Sequence, residues 1–554
     1  MEITLINSNQ KIDWSNRWFY IGTSYLSLIK NKKLIKGKRV SLRKELHNEF
    51  KNQKFFILNW LEKQRKANND SLNWWMSHIA GRNNVYTKFF DILCQTIVLK
   101  KLLSKDKSGE KVLIVCEDTF VMRLVYDNLH ETYSINRKSF YLFFLVRDYF
   151  KHLSHAFKSQ LGNIKTFFLD YFYAKITKRG KIEKPIGKVN LIHCCLDTKS
   201  FLNSEDFSCR YFTIFPRWLS KRNERVFILP WLFNVKLSRK KIFERLRKEN
   251  TFVPEDWLSI LDYFRAIYNG FKSTFLIKKE IVYPNLRLDA LIDREHLIQL
   301  GEKSAIFWRY IPALERWGSE LSTLICYDQF YNMMHEHPIR YFLKNASLKS
   351  VSIGYYNAIT SAEYLGTQSL PTEWESKIKP DYVACTGSLS KKLLSNWGVP
   401  NSKLISCASL RQLKYKNEKN IIKKSKNLLI LLSLEEHFSL ELLTKIFSIN
   451  KFLIDDLKLK VSVKAHPMAN PEMYLKKLNI KKFPEEWHWD KRNIEKVLDA
   501  NYCVLCMGTS AIFNAVLNKN LVIPVLSEIN LMDNDLDVLE ASYPSVSSIE
   551  EIKE

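Results

Sequence analysis

Near the C-terminus, short apolar runs alternate with stretches of helical spacing. The runs at 427–434, 459–463, 502–507 and 521–526 are apolar and bounded by polar residues, so they read as buried strands. Between them, 435–452, 471–478, 491–500 and 511–518 carry the helical period. Strands alternating with helices predict βαβ units and a parallel sheet with right-handed crossovers. A second alternating region lies upstream. Its expected strands are 112–116, 189–194, 226–229, 323–327, 350–354 and 382–385, with a helix at 389–397 that Gly398-Val399-Pro400 ends. Segment 415–426 is rich in Lys and Asn and has no apolar period, which marks a linker.

The expected fold class is therefore α/β, with two Rossmann-like domains, the N-terminal one enlarged by helical insertions. The domains are 1–415 and 427–554. At 554 residues the chain is too long for a single core. Apolar content of 46% with 13% aromatic residues suits a folded protein. The formal charge of +28 admits two readings. It reflects a composition biased to Lys, Asn and Ile, or it serves an anionic partner such as a membrane or an acidic substrate. Nucleic acid is not expected, because no recognition module accompanies the charge. The opening residues lack a basic region and an apolar core, and no 18-residue uncharged apolar run occurs. Neither a signal peptide nor a spanning helix is expected, and the expected location is cytoplasmic. The aromatic and basic stretch 140–178 reads as a helical hairpin packed on the core. The alternative is a peripheral contact with the inner face of the cell membrane. Ten cysteines sit mostly in apolar runs, as reduced core residues do. Cys503 and Cys506 are spaced C-x-x-C, but residues three apart on a strand face opposite sides. No metal and no cofactor are expected.

Two strand ends carry the candidate chemistry. Lys464-Ala465-His466-Pro467 follows the run at 459–463, and Met507-Gly508-Thr509-Ser510-Ala511 follows the run at 502–507. Ligands of open parallel sheets bind outside the carboxyl ends of the strands. Pro467 ends its strand and biases His466 to an extended conformation. An imidazole held there can donate to a phosphate or a base edge, and Lys464 shares its face. Gly508, Thr509 and Ser510 offer hydroxyls and amides to an anion. An ordinary strand terminator and an ordinary helix cap would use the same residues.

Lys-x-His-Pro, then Gly-Thr-Ser-Ala-Ile-Phe-Asn-Ala-Val, then Val-Ile-Pro-Val together resemble the donor half of bacterial surface-carbohydrate glycosyltransferases of the GT-B type. In the sialyltransferase and Kdo-transferase groups, a His-Pro motif and a Ser/Thr pair bind the CMP of a CMP-sugar. The CDP-glycerol polyol transferases of teichoic acid synthesis have a similar pattern. The resemblance covers most of 427–554. It implies that His466 and Pro467 meet the cytidine or its phosphate, and that Thr509 and Ser510 meet the phosphate. Upstream, Trp74-Trp75-Met76-Ser77 with Arg82-Asn83, Gly354-Tyr355-Tyr356-Asn357, and Cys407-Ala408-Ser409-Leu410-Arg411 resemble surface carbohydrate biosynthesis proteins more loosely. Those proteins have Gln-His after Gly-Tyr, where this chain has Tyr356-Asn357.

An inverting transferase needs a carboxylate to take the acceptor proton. Glu117 and Asp118 follow the strand at 112–116; in the sialyltransferases an acidic pair before a glycine supplies the base, and here Thr119 follows. The same pair suits a helix cap. Asp328, after the strand at 323–327, is the rival. Arg411 could reach donor phosphates from the upstream domain, as a guanidinium suits bidentate contact. His335-Glu336-His337 is not H-E-x-x-H, and neither G-x-G-x-x-G after a strand nor a P-loop occurs. The expected function is metal-independent transfer of a sugar from a nucleotide donor, CMP-activated, to a surface polysaccharide or lipid-linked acceptor such as capsule or lipopolysaccharide O-antigen. The alternatives are a CDP-polyol phosphotransferase and a non-catalytic assembly protein.

Overall fold

A computed structural model describes the chain except for residues 11, 84–85, 138–140, 179, 181, 202–208, 210, 234, 249, 277–282, 284, 303, 358, 413–426, 468, 532–533 and 540–542. The expected linker, 415–426, lies outside the described residues. Among those described, the named strands form three sheets, and every strand pairing within them is parallel.

The first sheet contains β1 (Glu2–Asn7), β2 (Trp18–Ile21), β3 (Val112–Cys116) and β4 (Ser134–Arg137), in the order β2-β3-β1-β4. The second contains β5 (Gly187–Leu196), β6 (Val226–Leu232), β7 (Leu321–Gln329), β8 (Lys349–Tyr356), β9 (Tyr382–Thr386) and β10 (Leu404–Cys407), in the order β10-β9-β8-β7-β5-β6. The third contains β11 (Leu428–Leu431), β12 (Val461–Lys464), β13 (Trp487–Trp489), β14 (Cys503–Cys506) and β15 (Leu521–Pro524), in the order β13-β12-β11-β14-β15. Central strands such as β3 (Val-Leu-Ile-Val-Cys) and β11 (Leu-Leu-Ile-Leu) are buried at every position. A continuous apolar run is what a parallel strand covered on both faces requires.

The residues ahead of β5 thus hold more than helical insertions. The apolar pattern groups β3 with the strands from β5 onward, whereas the structure places it in a separate sheet. Of the five strands that pattern does not reveal, four (β2, β4, β10 and β13) are sheet edges of three or four residues, too short to display a period. The aromatic stretch is corrected as well. It forms one helix of 37 residues, Tyr141–Thr177, and not a hairpin. Gly162-Asn163 looks like a turn, but Asn163 is buried, and its amide donates to Gln160 Oε1 at 3.3 Å and to the Glu302 carbonyl at 3.4 Å. Among the described residues, no helix is long and apolar enough to cross a membrane. All ten cysteines are free, including Cys503 and Cys506 on β14.

Polar clamps join the three sheets. Glu528, just after β15, pairs with Lys32 at 2.8 Å and with Arg39. Burial raises the Glu528 carboxyl, but Arg39 and Lys32 outweigh it and hold it down to about 2. Gln95 donates to the Ile529 carbonyl at 2.7 Å, and Asp91 accepts from the Leu531 amide at 3.0 Å. The motif Trp74-Trp75-Met76-Ser77 is core, and Arg82, fully buried, grips Glu373 through two bonds of 2.9 and 2.7 Å. That pair ties the N-terminal helices to the second sheet.

Candidate functional site

The order of the third sheet reverses at β11. β12 and β13 extend to one side of it, β14 and β15 to the other. Loops leaving neighbouring strands in opposite directions open a crevice at such a point. Lys464 to Pro467 leave β12 there, Leu431 and Leu432 end β11, and Thr509, Ser510 and Ala511 follow β14. The second sheet reverses beside β5, with β6 on one side and β7 to β10 on the other. The carboxyl end of β5 carries Asp197 and Ser200. These elements, with Thr213, Arg411, Asn493 and Glu495, enclose one cavity of about 360 Å³. Small-molecule sites commonly span about 300–1,000 Å³.

Six of the expected donor-site residues therefore meet in one place: Arg411, Lys464, His466, Pro467, Thr509 and Ser510. Each has a local reason to be there. Lys464 Nζ donates to the Asp490 carbonyl at 3.1 Å and to the Arg492 carbonyl, so its ammonium also ties the loop after β13 to the end of β12. His466 begins a turn in which the Ala469 amide donates to its carbonyl at 2.9 Å. Arg411 reaches the cavity from edge strand β10. The Leu410 amide donates to Tyr355 Oη at 3.0 Å, and Thr213 Oγ1 donates to the Leu410 carbonyl at 3.3 Å, so β8 and the turn before the helix Phe215–Ser220 aim the preceding residue. Arg411, Ser510 and Asn357 also line an adjoining cavity, which places the Gly354-Tyr355-Tyr356-Asn357 segment beside the same junction.

Gly508 lies behind the wall and outside the lining. Its φ is +56°, and a Cβ there would stand 2.5 Å from the buried Phe438 ring. Ser433 Oγ donates to its carbonyl at 2.6 Å. Glycine is required for the backbone and for close packing, and it presents Thr509 and Ser510 to the cavity. The helix that follows is only six residues, Ile512–Leu517, so the two hydroxyls supply the polarity of this wall.

The three expected bases lie elsewhere. Asp118 caps the helix Thr119–Leu129, accepting from the Phe120 and Val121 amides at 3.0 and 2.9 Å, while Arg294 donates to its other oxygen at 2.7 Å. Burial pushes the Asp118 carboxyl up, but the Arg294 charge outweighs it and holds the group below its ordinary value. Glu117 accepts from the Thr23 amide at 2.6 Å. Asp328 is fully buried at the end of β7, paired with Arg340 at 2.9 Å, and Arg340 also meets Glu336 at 3.1 Å. Burial, against the pull of Arg340, pushes Asp328 up to about 6 and Glu336 up to about 8. None of the three lines the cavity.

The carboxylate that does line it across from the third sheet is Asp197, which accepts from the Ser200 amide at 3.1 Å and the Ser200 hydroxyl at 3.2 Å. Sequence reasoning missed it, although a signal existed. Asp197 lies three residues past the expected strand 189–194, and the observed β5 runs on to Leu196, so that Asp197 directly follows it as Glu117 follows β3.

The fold and cavity define an α/β protein with a polar cleft between the carboxyl ends of two parallel sheets. No family model matches the chain, and no curated protein matches it. Solved structures of similar shape include a UDP-GlcNAc 2-epimerase from Methanocaldococcus jannaschii in complex with UDP-GlcNAc and UDP (13% identity, TM-score 0.38, 66% of this chain and 90% of that one). TarM (12%, TM-score 0.36, 67% and 91%) and HepE of Anabaena in complex with UDP-glucose (10%, TM-score 0.32, 66% and 87%) are two others. At these identities and scores the likeness is one of broad α/β architecture.

Proposed function

We propose that the protein transfers a sugar from a nucleotide donor, with 427–554 as the donor half and the residues up to 415 as the acceptor half. One observation carries the reading. Lys464, His466, Thr509 and Ser510 of the third-sheet side converge on a cavity whose opposite wall, from the second sheet, holds Arg411 and a carboxylate, Asp197. Cationic and hydroxyl groups on one wall suit a phosphate leaving group. A carboxylate on the other suits proton removal from an acceptor hydroxyl. The acceptor oxygen would form its bond to the anomeric carbon as the bond from that carbon to the donor phosphate breaks. The proton would pass to Asp197, and the charge developing on the phosphate would be met by the basic and hydroxyl wall. The resemblance of His466-Pro467 and Thr509-Ser510 to CMP-sugar transferases favours a cytidine-activated donor. The acceptor class is a surface glycan or its lipid-linked precursor.

The test is a thermal-shift screen of CMP, CDP, UDP and GDP on wild type and His466→Ala. A ligand that binds only the native state at about 100 times its Kd stabilises by about 2.7 kcal/mol. CMP should raise the wild-type midpoint and should raise that of His466→Ala less. A response to UDP or GDP alone would discard the cytidine donor. An equal CMP response in both proteins would remove His466 from the site. Turnover of CDP-glycerol, with none of a CMP-sugar, would move the reading to polyol-phosphate transfer.

A further inference from the structure

The helix Tyr141–Thr177 is apolar on two faces. One face is buried, with Ala156, Phe167 and Ala174 at 6% exposure or less. The other carries Val146, Phe150, Phe157, Leu161, Phe168 and Phe172, which are 47–66% exposed. Their spacing alternates between four and seven residues, so each third member recurs after eleven. Eleven residues are close to three helical turns, so the side chains form one continuous stripe. The helix is about 55 Å long at 1.5 Å per residue. A second helix, Ile260–Lys272, lies alongside it and exposes Ile260, Leu261, Phe264 and Tyr268. The two helices meet at a small, wholly apolar crevice whose lining includes Phe168 and Phe264. A surface helix of a globular domain normally turns polar residues to water on its outer face. An exposed apolar strip this long marks an interaction surface.

The exposed charges of the two helices have one sign. The acidic residues of the two helices, Asp148, Asp170 and Asp262, are all buried. The exposed charged residues are basic: Lys151, Lys158, Lys165, Lys175, Arg265 and Lys272. At about 100° per residue, Lys151, Lys158 and Lys165 form a row along one edge of the apolar stripe. Aromatic side chains flanked by lysines suit the boundary between headgroups and acyl chains, where rings insert and ammonium groups meet lipid phosphates.

We propose that this two-helix face docks the protein flat on an anionic lipid bilayer. A second copy of the chain fits the face less well, since it would bring a surface of the same positive sign. The inference does not rest on the donor reading, because binding to vesicles is scored with no nucleotide present.

The experiment is co-sedimentation of the full chain with vesicles of phosphatidylcholine alone, or with about 30% phosphatidylglycerol. Wild type should pellet with the anionic vesicles and weakly with the neutral ones, and less as salt rises. Combined Phe150→Asp, Phe157→Asp and Phe172→Asp should lower binding about tenfold or more, as should combined Lys151→Glu, Lys158→Glu and Lys165→Glu. These positions are exposed, so the melting temperature should match wild type. Wild type remaining in the supernatant with anionic vesicles would overturn the proposal, as would an aspartate variant that sediments like wild type. A wild-type dimer that the aspartate substitutions convert to monomer, with no vesicle binding by either, would assign the face to a second copy instead.

Discussion

The carboxyl ends of the first and third sheets are built alike and end differently. Each presents a buried strand, a polar turn and a helix: β3 leads through Glu117-Asp118 into Thr119–Leu129, and β14 leads through Gly508-Thr509-Ser510 into Ile512–Leu517. At the first sheet, other elements close the end. Asp148 of the long helix accepts from the Thr119 amide at 3.1 Å and the Thr119 hydroxyl at 2.9 Å, and Arg294 takes Asp118. At the third sheet, the facing elements stand back and leave a cavity. A polar strand end is thus a capacity for binding. Whether it becomes a site depends on what the rest of the chain lays over it.

The comparison can be broken most strongly at Asp197. Asp197→Asn keeps an oxygen for the Ser200 bonds and removes the proposed base. Transfer of the nucleotide sugar selected by the thermal screen should fall about 10²–10⁴-fold with the melting temperature unchanged. Undiminished turnover would mean that another carboxylate takes the proton. Next is Arg294→Ala, which leaves the half-buried Asp118 with only its two amide bonds. It should cost about 1.5–3 kcal/mol in chemical denaturation, the worth of a hydrogen bond to a charged group, and leave the nucleotide-induced shift in place. Unchanged stability with abolished turnover would mean that the first sheet's end is the working site. Gly508→Ala must hold a left-handed backbone and push against Phe438, a cost of about 1–3 kcal/mol, and should weaken the nucleotide response with it. Thr509→Val should cost about 0.5–1.5 kcal/mol of nucleotide binding by titration calorimetry, the worth of one hydrogen bond.

Acid–base behaviour sharpens the same contrast. Glu336 is raised by burial to about 8, above its value in the unfolded chain. Its contribution to stability is fully present below the ordinary carboxylate range and is lost as pH rises toward about 8. Melting temperatures of Glu336→Gln should lack that decline between about pH 5 and pH 8, whereas wild type should show it. Equal slopes would mean that the Asp328–Arg340–Glu336 cluster is ionised throughout.

Much of this was legible in the residues. The strands β3, β5, β6, β7, β8, β9, β11, β12, β14 and β15 announce themselves as apolar runs, most plainly where burial on both faces demands them as in β3 and β11, and the polar residues at their ends are visible in the same reading. His466, Thr509 and Ser510 follow from that rule alone. Strands β2, β4, β10 and β13 do not, because three or four residues are too few to display a period, whereas the apolar run of the equally short β15 continues to Leu526. Asp197 stands just past β5 as Glu117 stands just past β3, but the expected strand stops at residue 194 and leaves Asp197 in the loop beyond it. The exposed stripe on Tyr141–Thr177 also stays hidden, since apolar residues facing water and facing the core look identical in one dimension.

The sequence by itself determined where strands end and which polar side chains stand at those ends, because backbone periodicity and turn chemistry are local. Only the tertiary structure decided which end is open. Burial is a many-body property: the group that closes Asp118 is Arg294, 176 residues away along the chain, and the group that faces the third sheet is Asp197, on another sheet. Solvation and pairing of a carboxylate come from such distant neighbours, and they separate a carboxylate closed in an ion pair from one that lines a cavity.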